Sequence, residues 1–320
     1  MKCPKCEKDH QAKLGMVCSC SYRFTFNPKS RETFGFTDGK FLAAYRKASQ
    51  NETAHFTLTQ LYAAYCANIK NSAVPLYIVS AVAFLISIFF VWTEVVVGAF
   101  GLGIAVLTFG AALYSKAFVI PWQQFQVHAS RWYAEGKETP GVLVEPSLHQ
   151  PPPNWSEEDI YSYGVERILI VNRDILVDLL VFNNVHAEQR MLVLSESGYP
   201  SYLQSVARKL LDERADLPVF LLHDATRDCQ NMERRLREQS WLGIRQHKVI
   251  DLGLKPSDFE KIKRTKNFDN QRPIRDLPVD ALQTLFLAEG MLLCFASESS
   301  FESMLMRQAA DSGSGGSDFG

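Results

Sequence analysis

The residues best suited to chemistry in this sequence are four cysteines within its first twenty positions. Cys3 and Cys6 form a C-x-x-C pair, and 11 residues later Cys18 and Cys20 form a C-x-C pair. Zinc binds four thiolate or imidazole ligands in a tetrahedron, and two close pairs supply them at little cost in chain entropy. We therefore predict a zinc site at these four cysteines. We expect the zinc to be structural, because four thiolates leave no open position for catalysis at the metal.

The segment around these cysteines is too short to bury a core of its own, so a metal cross-link is the natural source of order. Tyr22, Phe24 and Phe26 alternate after the second pair and predict a short strand. Residues 1–30 resemble a zinc ribbon. His10 is an alternative ligand, but it lies between the pairs and we expect a loop residue there. Cysteine pairs used for redox chemistry are the other reading of this pattern.

The remaining composition limits the function classes. The 320 residues carry 34 Lys+Arg and 35 Asp+Glu, and the acidic excess falls in the second half of the chain. Such a balance argues against DNA binding driven by the charge of the whole protein, although it does not exclude binding through a local basic surface. Of the seven cysteines, four form the N-terminal cluster, and this usage indicates metal binding rather than a disulfide framework.

The longest apolar stretch runs from Val74 to Ile120 and is interrupted by Glu94. Each half has about the 20 apolar residues that a membrane-spanning helix needs. We therefore predict a transmembrane hairpin with spans 73–92 and 95–120, and the lipid bilayer as a partner. Basic residues flank the block but not its connection, which predicts an integral membrane protein with both termini cytoplasmic, in the inner or plasma membrane if bacterial. A buried helix pair is the alternative.

After a proline-rich linker, the chain alternates between apolar strands and amphipathic helices. The predicted strands are Glu166–Asn172, Met191–Ser197 and Leu217–Ala225. Strand–helix alternation predicts a parallel, Rossmann-like sheet, and functional groups collect at the carboxyl ends of such strands. The predicted fold class is thus a multi-domain membrane protein with a zinc ribbon, a transmembrane hairpin and a cytosolic α/β domain. The predicted boundaries are 1–30 for the ribbon, 31–72 for a helical connector, 73–120 for the hairpin, 121–160 for the juxtamembrane linker, 161–308 for the α/β domain and 309–320 for a disordered tail.

The α/β segment resembles a known family in the order of its motifs. ILIVN, ES-GYP, LPVFLLHDAT and then PVDAL at 278–282 resemble the Toprim domain of the topoisomerase VI A subunit and its meiotic recombination relatives, from Ile168 to Leu285. The resemblance implies a magnesium site built from a glutamate after the first strand and an Asp-x-Asp pair after the third. Magnesium is a hard cation that prefers such oxygen ligands.

The carboxylates that the family uses are incomplete here. Asn172 stands at the glutamate position, and Asp224-Ala225-Thr226 stands at the Asp-x-Asp position. Asp224 is therefore the one matching carboxylate, with Asp174 and Glu196 as candidates to replace the others. Magnesium and catalysis consequently stay doubtful, and we do not predict an enzyme.

Two functions follow from these observations. The first is a non-catalytic binding or assembly protein with structural zinc and an inactive Toprim-like domain, whose partner is a protein, a second copy of the chain or a nucleic acid. The second is a magnesium-dependent nuclease or phosphotransferase of Toprim type with relocated ligands.

Overall fold

The architecture described below is that of a computed structural model. It describes residues 1–30, 33, 35–91, 95–117, 119–151, 164–226, 228–238, 241–253 and 279. Residues 152–160 of the predicted linker, the part of the predicted α/β domain that follows residue 253 apart from residue 279, and the predicted tail lie outside the described residues. The chain forms two compact units. The first comprises Met1–Lys47 and Tyr62–Glu138, and the second comprises Ala48–Leu61 and the described residues from Thr139 onwards.

The first unit begins with the cysteine module and continues mainly in helices. A short 3-10 turn at Ala12–Leu14 lies between the two cysteine pairs. The helices that follow are α1 (Asp38–Ala48), α2 (Leu58–Val91), α3 (Val95–Ala117) and α4 (Trp122–Ala134). Asp38 occupies the first turn of α1, where the positive end of the helix dipole favours a carboxylate.

Aromatic rings form the core of this unit. Phe26, Phe36 and Phe41 are fully buried and contact one another. Helix α4 adds Phe125 and Trp132 from its buried face, and the Phe41 and Trp132 ring centroids are 4.6 Å apart. Edge-to-face and offset contacts of this kind add about 0.5–1.5 kcal/mol each to the area they bury. The module and α4 are therefore held by one aromatic cluster.

Helices α2 and α3 pack against each other in antiparallel orientation. The Ser80 hydroxyl donates a hydrogen bond to the Ala105 carbonyl at 2.9 Å. Two turns further along α2, Ser87 faces Gly101, where a Cβ would lie 3.0 Å from the serine Cβ. The small residue at position 101 thus allows the two backbones to approach closely, as in a helical hairpin.

The predicted transmembrane hairpin is wrong, and so is the integral membrane location that follows from it. Among the residues that the structure describes, no helix combines the length and the hydropathy that a bilayer crossing requires. The prediction rested on the number of consecutive apolar residues, and such residues also occur where two helices pack on each other, as α2 and α3 do.

The second unit contains a four-stranded parallel sheet, which confirms the predicted parallel α/β domain. Its strands are β3 (Arg167–Val171), β4 (Met191–Ser195), β5 (Val219–Leu222) and β6 (Val249–Asp251), in the spatial order β4-β3-β5-β6. Val171 pairs with Ser195 on one side and Leu222 on the other, so the carboxyl ends of these strands are level. The residues of β3 after Arg167 are fully buried, as expected for a strand covered on both faces.

Helices connect these strands. They are α5 (Asp174–Phe182), α6 (Val185–Glu188), α7 (Gln204–Glu213) and α8 (Met232–Glu238). A hydrophobic cluster joins the sheet to α7 and α8 and includes Ile170, Leu194, Leu210 and Leu236. Two short strands, β1 (Phe56–Thr57) and β2 (Val142–Leu143), pair in parallel in the same unit.

Candidate functional site

The four N-terminal cysteines come together, as predicted. Their sulfur atoms all lie within 4.8 Å of one another. The Cys3 and Cys20 Sγ atoms are 3.6 Å apart, and the Cys6 and Cys18 Sγ atoms are 3.7 Å apart. A tetrahedral zinc with Zn–S bonds of about 2.3 Å requires sulfurs separated by about 3.8 Å. The spacing and the all-thiolate donor set therefore fit a zinc ion.

Two similar turns position these sulfurs. The residue after each pair, Glu7 or Ser21, has a positive φ, of 59° and 66° respectively. Each turn is closed by a backbone hydrogen bond, from Glu7 N to Cys3 O and from Ser21 N to Cys18 O. Backbone amides then point at sulfur, which is the usual way that a protein orients thiolate ligands around a metal.

The thiols differ in their proton affinity because of these turns. The backbone amide of Cys20 donates to the Cys18 sulfur and lowers the pKa of Cys18 to about 6. The amide of Lys8 acts in the same direction on Cys6, but burial and the neighbouring thiols prevail and raise the pKa of Cys6 to about 11. Four sulfurs this close cannot all ionise without a compensating charge, and a divalent cation supplies it.

His10 lies apart from the sulfur cluster. Its Nε2 is 2.8 Å from the Gly15 carbonyl, and its ring stacks on Phe24 with centroids 5.2 Å apart. This position agrees with the expectation that the histidine is a loop residue rather than a ligand.

A buried ion pair holds the cysteine module in place. Asp38, 1% exposed, accepts hydrogen bonds from the backbone amides of Thr25 and Phe26 and from the Tyr22 hydroxyl. The Lys137 ammonium lies 3.1 Å from the same carboxylate and 4.6 Å from the Trp132 ring centroid. The segment that follows the second cysteine pair forms an isolated bridge at Arg23 instead of the predicted strand. It is tied to the start of α1 by this charge-assisted network.

The second candidate region is the carboxyl edge of the sheet. In the order β4-β3-β5-β6, the chain runs from β3 to β4 on one side, returns past β3 to β5 on the other side, and continues outward to β6. The direction in which strands are added therefore reverses between β3 and β5, and this is the topological switch point of the sheet. Ligands bind at such points in open α/β sheets. Asn172 follows β3 and Asp224 follows β5, so the sequence correctly assigned both residues to this crevice.

Asp224 is fully engaged within the protein. Its carboxylate is 6% exposed and accepts from the Arg173 guanidinium at 2.8 Å and from the Asn172 side-chain amide at 3.0 Å. The backbone amide of Val279 donates to its other oxygen at 2.7 Å. Asn172 thus stands where the Toprim resemblance implies a glutamate, and its amide binds the neighbouring carboxylate instead of a cation.

The other two candidate carboxylates are engaged as well. Glu196 makes a two-pronged ion pair with Arg235, at 2.6 and 2.9 Å. Asp174 accepts a hydrogen bond from the Ser197 hydroxyl at 2.8 Å. Within the described part of the chain, the cysteine cluster is the one group of three or more ligand side chains that meets at a point. The three carboxylates therefore do not form such a group.

The sequence did not reveal a buried histidine–aspartate pair beside this crevice. His223, 1% exposed, lies 2.8 Å through Nδ1 from the Asp224 carbonyl and 3.1 Å through Nε2 from the Asp251 carboxylate. Both partners can only accept, so both ring nitrogens carry protons in this arrangement. Burial acts to lower the pKa of His223, but the hydrogen bond and charge of Asp251 outweigh it and raise that pKa. The one available signal was the pattern HKVIDLG at 247–253, which contains β6.

A further buried carboxylate, Asp178, holds the segment around Ser147 in place. Asp178 is 0% exposed and accepts from the Ser147 amide at 2.6 Å, the Ser147 hydroxyl at 2.7 Å and the Tyr199 hydroxyl at 2.6 Å. Burial and the hydrogen bond to Asp178 both raise the pKa of Tyr199 well above its usual range. All the donors that an aspartate needs in a buried site are present, so this group is structural.

Comparison of the chain with models of protein families, with curated proteins and with solved structures found no match in any of the three.

Proposed function

We propose that this is a non-catalytic binding or assembly protein, with a zinc ion as the cross-link of a ribbon-like N-terminal module. The proposal for zinc is supported by the sulfur spacing at Cys3, Cys6, Cys18 and Cys20 and by the amides directed at sulfur. Zinc bound by four thiolates would supply the order that so short a segment lacks, and would take no part in catalysis.

The second unit is proposed to be a Toprim-like domain whose catalytic edge has become an internal salt-bridge network. The observation that carries this proposal is the engagement of Asp224 by Arg173, Asn172 and the Val279 amide. A carboxylate that neutralises a guanidinium is a poor ligand for Mg²⁺, which demands near-ideal octahedral oxygen geometry and gives up water reluctantly. A unit of this kind retains a surface for binding but not a metal for phosphoryl or strand transfer. Its partner would be a protein or a nucleic acid.

The zinc proposal is tested by metal analysis of the purified full chain. We expect one zinc per chain, and less than one half in Cys18→Ser. Cys66→Ser is the matched control, because Cys66 is also a buried cysteine of the first unit but lies outside the cluster. A wild-type protein without zinc, or equal zinc loss in both variants, would contradict the proposal.

The absence of magnesium catalysis is tested at the carboxyl edge of the sheet. We expect no saturable Mg²⁺ binding in calorimetry at millimolar metal and no cleavage of DNA or RNA by the full chain. Magnesium-dependent cleavage that Asp224→Ala abolishes would instead establish the alternative, a nuclease or phosphotransferase with relocated ligands. The Glu188→Ala variant is the control, because Glu188 is an exposed carboxylate of the same unit on α6, away from these contacts.

A further inference from the structure

An open pocket of about 560 Å³ lies in the second unit, beside α8 and the 3-10 turn Ile244–Gln246. All seven residues that line it have polar or charged side chains, so the pocket favours a polar ligand. Pockets for small molecules commonly have volumes of about 300–1,000 Å³, and this one therefore has room for a ligand of nucleotide size. None of the lining residues is a cysteine of the zinc site or one of the candidate carboxylates at the edge of the sheet.

One arginine of the lining fixes the shape of this pocket. The Arg237 Nε donates to the Glu233 carboxylate at 2.9 Å, and its Nη1 donates to the carbonyls of Ile244 at 3.3 Å and Arg245 at 3.1 Å. These contacts join α8 to the 3-10 turn and use the charge of Glu233. A pocket whose walls are already joined loses little conformational freedom when a ligand binds.

Two further arginines leave their guanidinium groups available to a ligand. Arg234 on α8 and Arg245 on the 3-10 turn are both exposed, and no hydrogen bond or ion pair joins either guanidinium to another group in the described ranges. Three arginines and two glutamates line the pocket, which leaves a net charge of +1. The planar fork of a guanidinium matches the geometry of a phosphate, with which it forms two charge-assisted hydrogen bonds. The charge of the pocket therefore favours a phosphate group.

The remaining side chains of the lining are suited to a neutral group beside the phosphate. The 3-10 turn Cys229–Asn231 leads directly into α8, so the i, i+4, i+8 spacing places Gln230, Arg234 and Glu238 along one face. The side-chain amides of Gln230 and Asn231 both donate and accept hydrogen bonds, and the Glu238 carboxylate accepts them. Amides and carboxylates of this kind pair with the edges of nucleobases, whereas a simple anion would leave them unused.

We propose that this pocket binds a nucleotide, with the phosphate on Arg234 and Arg245 and the base beside Gln230 and Asn231. The nucleotide is either a free molecule or one residue of a single-stranded nucleic acid, because both present the same phosphate and base. The site rests on the proposed binding function only where the nucleotide belongs to a nucleic-acid partner. Zinc content and magnesium-dependent cleavage test that function separately.

The experiment titrates the full chain with two kinds of probe. Calorimetry measures the binding of the four ribonucleoside 5′-monophosphates up to millimolar concentration, and fluorescence anisotropy measures the binding of short labelled single strands of RNA and DNA of mixed sequence. The test variants are Arg234→Gln and Arg245→Gln, which remove one charge each at exposed positions. Arg190→Gln is the matched control, because Arg190 is a 64% exposed arginine of the same unit that pairs with Glu166 outside the pocket. Circular dichroism verifies that all three variants are folded.

We expect saturable binding of at least one nucleotide or of a single strand by the wild type. Each test variant loses charge-assisted hydrogen bonds to the phosphate, so its dissociation constant should rise roughly tenfold or more. The Arg190→Gln variant should bind within about twofold of the wild type, because exposed charges outside the pocket are screened. Binding of a monophosphate identifies a free nucleotide as sufficient, and binding of a single strand alone identifies a nucleic acid as the source.

Four results would overturn the proposal. The first is a wild type that binds neither kind of probe, and the second is a pair of test variants that bind as the wild type does. The third is an equal loss of affinity in Arg190→Gln, which would show attraction to the general charge of the unit. The fourth is inorganic phosphate that competes as well as the nucleotides do, since the base would then make no contact.

Discussion

Replacement of Gly253 by alanine probes the buried histidine–aspartate pair of the second unit. A Cβ at position 253 would lie well inside van der Waals contact with Nε2, Cε1 and Cδ2 of His223. The His223 ring is 1% exposed and is held at both nitrogens, so it has no space into which it can move. The alanine therefore has to displace the ring or shift the chain after β6.

Two effects contribute to the loss of unfolding free energy that we expect for Gly253→Ala. Overpacking a well-filled site costs about 1–3 kcal/mol, and losing a hydrogen bond that involves a charged group costs about 1.5–3 kcal/mol. Because a partial shift relieves some strain while weakening the bond, we expect a total of about 3 kcal/mol rather than the sum of both upper limits. For a unit of this size, that loss lowers the melting temperature by roughly 10 °C.

Urea unfolding followed by circular dichroism measures the free-energy change, and amide exchange reports on β6. Gly39→Ala is the control, because the nearest atom to its Cβ is Thr37 Oγ1 at 3.9 Å and the residue is helical. There we expect no loss, and a gain of about 0.5–1 kcal/mol from helix propensity. The double variant Gly253→Ala with His223→Ala should be no less stable than His223→Ala alone, because the ring that the methyl group meets is gone.

The reasoning fails if Gly253→Ala is as stable as the wild type. It also fails if the two substitutions in the double variant destabilise additively, since additivity would mean that the methyl group and the ring do not meet.

Three other predictions follow from the buried charges. His223 has a pKa above its unfolded value of about 6.5, so its stabilising effect is complete below pH 6.5 and is lost as the pH rises through the folded pKa; urea midpoints should fall over that range, and His223→Gln should remove this dependence. Asp178→Asn replaces one of two accepting oxygens by a donor and should cost about 2–4 kcal/mol in thermal unfolding, and a cost under about 0.5 kcal/mol, as for a surface substitution, would refute this role. Lys137→Met leaves the Asp38 carboxylate buried without its cation and should cost about 3 kcal/mol, whereas Lys47→Met, at an intermediate surface position of α1, should be nearly neutral.

Local spacing was sufficient to predict the cysteine cluster. The two pairs are close in sequence, so tight turns bring the sulfurs together without help from the rest of the chain. Strands β3, β4 and β5 were predictable for a related reason, since runs such as 168–171 in β3 are apolar throughout and bounded by polar residues. The fourth strand, Val249–Asp251, was missed because it is three residues long and half-buried at the edge of the sheet.

The contacts of the candidate carboxylates could not be predicted from the sequence. The partners Arg173 and Asp224 are 51 residues apart, and Glu196 and Arg235 are 39 residues apart. Their pairing depends on which strands are neighbours and on how far each connecting helix extends. The sequence could place Asp224 at the carboxyl edge, but it could not show that a guanidinium already occupies its oxygens.

The membrane prediction went wrong for a different physical reason. A run of apolar residues shows that water is unfavourable around a helix, but it does not specify what replaces the water. The structure describes two helices that touch through Ser80, Ser87 and Gly101, with none that meets the requirements of a bilayer crossing in the described ranges. Several apolar side chains of these two helices are exposed in the described part of the chain.

The second unit is assembled from two separated parts of the chain, and this has a consequence for its synthesis. Phe56 and Thr57 pair with Val142 and Leu143, and the His55 amide donates to the Asn183 side chain. At about 5–20 residues per second, the ribosome needs roughly 4–17 s to make the residues between the two short strands. The fully buried Phe56 therefore has to wait in the nascent chain while the helical hairpin is translated, and a fragment that begins after the hairpin would never acquire this part of its own unit.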